Sequence, residues 1–333
     1  MTTLRDIASE AGVSFKTVSN VLNGRNKGVY GAAVQERAER IRAIAARLNY
    51  RPNHSARAMR TQRTNIIGLL VWRVADPATG RMVDAFEQAL HRHGYRLLLG
   101  ISGGGKKNDV DYLRQIPAGM MDGLINADSY LDTDTVIDTL RPLPVVTYNR
   151  RHPSSPACVD TAREVEIALD HLLGLGHRRI GFVHGPTGFD ITRIELAAYK
   201  RVMTCHGCPP NPAWTANAQW DQALAEQVTP QLVNAGCTAI MAGNDIYAVG
   251  VIRALRRAGL RVPQDISVTG ADDVPLAVAC DPELTTLRFP YEAMVERHVA
   301  AMLALLTGQP PPPPVRLEHE LVIRGSTAPP GMK

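Results

Sequence analysis

From residue 65 onward the chain repeats one pattern, a short apolar run followed by a longer amphipathic stretch. "IIGLLV" (66–71), "RLLLG" (96–100), "DGLIN" (122–126) and "VVTY" (145–148) make a first series. "RIGFV" (179–183), "AIMAG" (239–243) and "ISVTG" (266–270) make a second. Runs so short and so uniformly apolar read as strands buried on both faces, the condition of a parallel sheet layered between helices. One of those helices is predicted over 81–93, closed by Gly94. Two series in tandem predict an α/β body of two doubly wound parallel-sheet subdomains. Ligands of such sheets bind in the crevice beyond the carboxyl ends of the strands.

The opening of the chain is different. Residues 1–63 hold 12 Lys/Arg against 4 Asp/Glu, a net +8, whereas the rest holds 25 against 28, a net −3. A basic head on a mildly acidic body suits a polyanion partner for the head, although a basic face without a partner has the same composition. The head reads as all-α. Thr3 and Asp6 form a capping-box pattern, Leu4, Ile7, Ala8 and Ala11 recur at helical spacing, and Gly12 stops the helix. Ser14 can cap a second helix with Val18, Val21 and Leu22 inside, Val13 can staple onto Val18, and Asn23-Gly24 ends it. A third helix carries Val34, Ala38, Ile41, Ala45 and Leu48 on one stripe. Two short helices joined by a glycine turn make a helix-turn-helix. Its second helix would project Phe15, Lys16 and Asn20 toward base edges, with Ser14, Thr17 and Ser19 sized for phosphate contacts. The same geometry also occurs in proteins that never meet DNA.

Between head and body lies "YRPNHSARAMRTQRT" (50–64), with four arginines, no acid and one large apolar residue, Met59. It can be a solvated linker, or a short helix capped by Asn53 that is marginal alone in water.

"TLRDIASEAGVSFKTVSNVLNG", then "LNYRPNHSARAMRTQRTNIIGLLV", and farther on "GHRRIGFVHGP", "GNDIYAVGV", "LRVPQDISVTGADD", "PELTTLRFP" and "LVIRGST" resemble the lactose-repressor (LacI/GalR) family of bacterial transcription regulators. The resemblance runs over nearly the whole chain. It implies a DNA-binding head (1–50), a hinge helix or linker (51–64) and a periplasmic-binding-protein-like core (65–328). The core would divide at about 65–160 with 290–328, and 161–289. It also implies a homodimer on a near-palindromic double-stranded DNA operator, controlled by a small effector. In proteins of this kind the segment 53–60 becomes helical on DNA and wedges an apolar side chain into the minor groove. By position the wedge is Met59, flanked by Arg57 and Arg60. The loop "GRNKGVYGAAVQ" is longer than is usual in the family and lacks a Ser or Thr cap for the third helix.

For the effector site the resemblance points to Asp272, at a strand end in "TGADD". Trp220 can cover a ligand with its ring, Asn244 and Asp245 open a helix, and Asn149 and Arg150 end a strand. Each has a plainer reading: Asp245 as a helix cap, Trp220 as core, Arg150 paired with Asp160. Glu195 in "ELAAY" stands where the family commonly has an effector-gripping Arg, and Arg193 could substitute for it. Ala78 and Thr79 in "DPATGR", and Ala271, replace common aromatics, so one wall should be less aromatic. An acid in place of a base disfavours a carboxylate ligand and leaves a sugar or related polyol.

Other signals point nowhere in particular. With 45% hydrophobic and 21% charged residues the composition is that of a globular protein, and no run approaches ~18 apolar residues. No signal-peptide layout opens the sequence, and the five scattered cysteines suit reduced thiols, so a cytoplasmic setting is expected. "CHGC" (205–208) is weak as a metal or redox motif, "SGGGKK" (102–107) matches no phosphate loop, and Pro310–Pro314 reads as a stiff spacer. No nucleophile grouping supports an enzyme, and no cofactor or metal is expected. The competing class is a stand-alone periplasmic-binding-protein-like small-molecule binder.

Overall fold

The computed structural model describes residues 2–22, 32–50, 58, 61–103, 110–111, 113–117, 119–127, 133–148 and 155–331. They fall into two compact units, residues 1–64 and residues 65–333.

The first unit is built from α1 (Leu4–Ala11), α2 (Phe15–Leu22) and α3 (Ala32–Arg47). The capping box forms at α1: the Thr3 backbone N–H donates to Asp6 Oδ2 (2.7 Å) and the Asp6 N–H to Thr3 Oγ1 (3.4 Å). Gly12 follows in the left-handed region, at φ 65°, as a glycine there can without strain. The Thr17 N–H donates to Ser14 Oγ (3.1 Å), so Ser14 caps α2. Ile7, Val18, Val21, Ile41 and Ile44 form a small core, with Val13 packed against it. Val34 departs from the expected stripe: it is 37% exposed, and Ile44 lies inside instead.

In the second unit, β1 (Ile66–Val71), β2 (Arg96–Ile101), β3 (Gly123–Asn126) and β4 (Val145–Thr147) form a parallel sheet in the order β2-β1-β3-β4. Alternate residues of β1 face opposite cores, Ile67, Leu69 and Val71 on one side and Leu70 on the other. Helix α4 (Pro77–Arg92) starts earlier than expected because Asp76 caps it, accepting from the Ala78 N–H (3.3 Å). "DPATGR" is thus a helix cap and first turn.

A second sheet has the order β12-β10-β9-β8-β6-β7. Its strands are β6 (Ile180–His184), β7 (Thr215–Asn217), β8 (Ala239–Ala242), β9 (Ser267–Asp272), β10 (Thr285–Arg288) and β12 (Glu320–Val322). All pairs are parallel except β10–β12. Both faces are again buried: Ile180, Phe182 and Met241 lie in one core, Val183, Ile240 and Val268 in the other. Helix α5 (Thr133–Leu140) belongs to the first half; α6 (Thr161–Gly174) and α7 (Asp190–Cys205) cover the first face of the second sheet, and α8 (Gln222–Asn234), α9 (Asp245–Arg257) and the short α10 (Leu276–Ala279) the second.

The chain passes between the halves three times. Strand β5 (Ala157–Val159) leads into α6, β10 leads into α11 (Tyr291–Leu306), which packs on α4 of the first half, and β11 (Val315–Leu317) leads into β12. Strands β5 and β11 pair in parallel as a ribbon of their own. The return expected for the whole of 290–328 is therefore split. Residues through β11 go with the first half, while β12 adds antiparallel to the second sheet. There the tail is fixed by the Val268 N–H donating to Ser326 O (2.9 Å) and by His177 Nε2 bonding Ala328 O (2.9 Å). Among the described residues no helix is long and apolar enough to cross a membrane, and no group of three or more His, Cys, Asp or Glu could hold a metal.

Candidate DNA-reading helix and ligand cleft

The N-terminal face of α2 is open. Phe15 is half exposed and Lys16 is exposed. The Ser14 and Thr17 hydroxyls hydrogen bond each other (2.9 Å) beside them. Asn20 is half-buried. Ser19, expected to contact a phosphate, is instead buried (8% exposed) beside Val18, whereas Ser14 is exposed. Asn53, Arg57, Met59 and Arg60, expected to act in the linker, lie outside the described residues, as do Asn23-Gly24 and most of the long loop.

In the second unit a cavity of about 330 Å³ lies between the two sheets, at the carboxyl ends of β1, β3, β8 and β9. That is where a doubly wound sheet presents helix N-termini and free backbone to a ligand, and the size is at the lower end for a small-molecule site. Glu195, Trp220, Asn244 and Asp272 all line it. Trp220 stacks on Tyr247 (centroids 6.1 Å apart, 15° between planes) and meets Phe189 edge-on (6.0 Å, 75°). Its backbone sits at φ 59°, held by its N–H donating to the Tyr247 hydroxyl (2.6 Å). Gly185 makes room for the ring, since a Cβ there would lie 2.6 Å from Trp220 Cη2. Asn244 caps α9, its Oδ1 accepting from the Tyr247 N–H (2.9 Å). Asp272 ends β9 at φ 99° and accepts from the Tyr291 hydroxyl (3.3 Å).

Two expected contacts are not in this wall. Arg193 points to solvent, 61% exposed, and pairs with Asp190 one turn earlier. Asp245, 1% exposed, lies behind the wall and accepts from the Thr286 hydroxyl (2.5 Å) and the Val274 N–H (2.8 Å). Burial pushes its carboxyl up to about 7, against the pull of those two donors. Asn149 and Arg150 lie outside the described residues, and Asp160 pairs with Arg316. The first-half wall is also more aromatic than expected. Ala78 and Thr79 line it, but so do Trp72, Tyr148 and Tyr291.

Trp72, Arg73, Asn126, Phe189 and Glu164 also line the cleft, none of them expected from the sequence. Trp72 and Arg73 directly follow β1, and Phe189 precedes α7, so the strand-end rule could have found them. Arg73 reaches across the cleft to donate to Trp220 O (3.3 Å), and its guanidinium lies 4.6 Å over the Trp72 ring. On the opposite side Arg81 of α4 donates to Asp273 O (3.1 Å). Burial would raise the Asp273 carboxyl, but hydrogen bonds from Arg324 (2.6 Å) and Arg288 (2.8 Å) hold it below the usual range.

Residues 3–53 match the family described as "Bacterial regulatory proteins, lacI family", and residues 169–327 match "Periplasmic binding protein-like domain". A transcriptional regulator encoded in the aml 5′ region of Streptomyces limosus is 32% identical, over 98% of this chain and 94% of its own length. The chain belongs to the lacI family. Another relative, the HTH-type transcriptional repressor PurR of Photobacterium profundum, is 30% identical over 87% of each chain. The lac repressor dimer bound to operator and the anti-inducer ONPF superposes with a TM-score of 0.84 at 28% identity, over 98% of this chain and 99% of that one. As in other lacI-family repressors, a DNA-binding head is joined to a periplasmic-binding-protein-like body.

Proposed function

We propose that this regulator represses by binding a near-palindromic operator as a homodimer, and that a sugar or related polyol in the cleft sets its operator affinity. The observation that carries the reading is a cleft at the carboxyl ends of two parallel sheets in a chain that opens with a helix-turn-helix. Phe15, Lys16 and Asn20 would read base edges, while Ser14 and Thr17 contact phosphates. Residues 53–60 would order on the operator and insert Met59 into the minor groove, with Arg57 and Arg60 alongside. Asp272 and Asn244 would accept and donate to ligand hydroxyls, and Trp220 would cover an apolar face.

A mobility-shift titration on the region upstream of the chain's own gene, at two salt concentrations, tests this reading. Specific binding that weakens steeply with salt is expected, and Lys16→Ala should weaken it further. A chain lacking residues 1–63 that binds the same fragment equally well would reject the assignment. Ligand and operator should alter each other's affinity by the same factor, typically ~5–150-fold. Equal ligand affinity with and without operator would reject the switch.

A further inference from the structure

The cleft is more acidic than a neutral ligand requires. Among its described lining residues Asp76, Glu164, Asp190, Glu195 and Asp272 are acids, and Arg73 is the base. Asp76 caps a helix and Asp190 pairs with Arg193 at the surface. Glu164 and Glu195 differ from these because they are largely withdrawn from water, Glu164 half-buried with its side chain 12% exposed and Glu195 buried at 6%. Both also flank a separate recess of about 20 Å³ in the second half, otherwise walled by apolar residues including Phe182, Met241 and Leu287. The recess and the cleft share Glu164, Glu195 and Gly243.

A space that small admits one water-sized group. A primary ammonium group has that size and offers three N–H donors to carboxylates that can only accept, and the apolar walls strengthen the attraction. His319 Nε2 lies 3.4 Å from Glu164 Oε2, on the chain crossing between β11 and β12, so the first glutamate also has an imidazole beside it. A second observation points to a ligand in the same cleft. Arg73 Nε is buried and has no acceptor among the described residues, so the wall holds a donor that a ligand oxygen could satisfy.

We propose that the ligand of this cleft carries a protonated primary amine, seated in the recess between Glu164 and Glu195, on a hydroxyl-bearing body that fills the larger space. The inference rests on the ligand-controlled reading above and names the group that distinguishes this ligand. The charge of the two glutamates selects the amine over the matching alcohol.

Calorimetry and thermal shift on the full chain at pH 7, with matched pairs, test it: glucosamine and glucose, galactosamine and galactose, 1-amino-1-deoxysorbitol and sorbitol. At least one amine should bind about tenfold or more tightly than its neutral twin, the scale of a charge-assisted hydrogen bond. Glu195→Gln and Glu164→Gln should each bring the amine's affinity to within about threefold of its neutral twin's in the same variant, because the charge that separates the two ligands is lost. Neutral twins that bind as well as the amines would overturn the inference. So would an amine advantage that survives both substitutions, or a set in which no amine binds. Operator binding, measured in parallel by mobility shift, separates the failures. Its loss sinks the regulator reading, whereas its presence beside a preference for neutral sugars sinks only the amine.

Discussion

At Asp245 a carboxyl group is kept from water and given two donors, and its place in the chain, next to the capping Asn244, makes it look like a ligand contact. Its pKa of about 7 lies above the ordinary 3.8, so the folded state holds this proton more tightly than the unfolded chain does. The stability it contributes is complete below about pH 4 and is lost as the pH rises through about 7. Asp245→Asn keeps an acceptor for the Val274 N–H and cannot ionise. The difference in stability between the native chain and this variant should therefore shift by a few kcal/mol between pH 5 and 8, in favour of the variant at high pH. Denaturant melts at a series of pH values read this out, and a difference that stays flat would show that the carboxyl is not buried as described. The comparison must be between the two proteins. Burial lowers the pKa of His177, His184 and His298, which gives the opposite slope in both. Gly185→Ala makes a separate prediction. Its new methyl would collide with the Trp220 ring, so ligand affinity should fall about tenfold or more while the fold survives with a loss of roughly 1–3 kcal/mol, the usual range for overpacking. Calorimetry showing unchanged affinity would remove Trp220 from the ligand's wall.

At the scale of single elements, α8 and α9 touch at Gly250, where a Cβ would sit 2.5 Å from Gln222 O and 3.0 Å from Ala225 Cβ. The obstruction is helix backbone, which cannot rotate away. Gly250→Ala should cost roughly 1–3 kcal/mol in a denaturant melt, although alanine is the better helix former. Ser14→Ala should lower the stability of the head by about 1 kcal/mol, and a loss indistinguishable from zero would mean that α2 is capped otherwise. Long apolar strands were legible in the sequence because both faces must be buried: the 66–71 run coincides with β1. Strands β5 and β7 were not, since "ACV" and "TAN" hold no apolar run long enough to mark a strand and gain their partners only from the tertiary fold. The site divides in the same way. Asn244 and Asp272 could be placed from a helix start and a strand end, and Trp220 only through the family resemblance. Glu164 could not, because cleft membership there depends on which face of the first turn of α6 turns inward. Arg193 and Glu195 lie two residues apart on one helix, and only the packing of α7 decides that the acid goes in and the base goes out.

For the second unit as a whole, Arg73 and Arg81 each extend from the first half to a backbone carbonyl of the second, Trp220 O and Asp273 O. Each bond is worth about 1 kcal/mol, so the two together bias the cleft toward closure without locking it. Arg81→Ala should lower ligand affinity severalfold, and unchanged affinity in calorimetry would show that this bridge does not bear on closure. The three crossings lie side by side: β5 pairs with β11, and the Phe289 ring, just after β10, meets His319 just before β12, with centroids 5.4 Å apart. Parallel tethers along one edge leave the halves free to swing and resist sliding or twisting. On the proposed reading, whatever molecule occupies the space reports itself as a wider or narrower gape. Descendants of this chain could exchange one signal for another by repainting a few walls, with no new machinery for passing the message on.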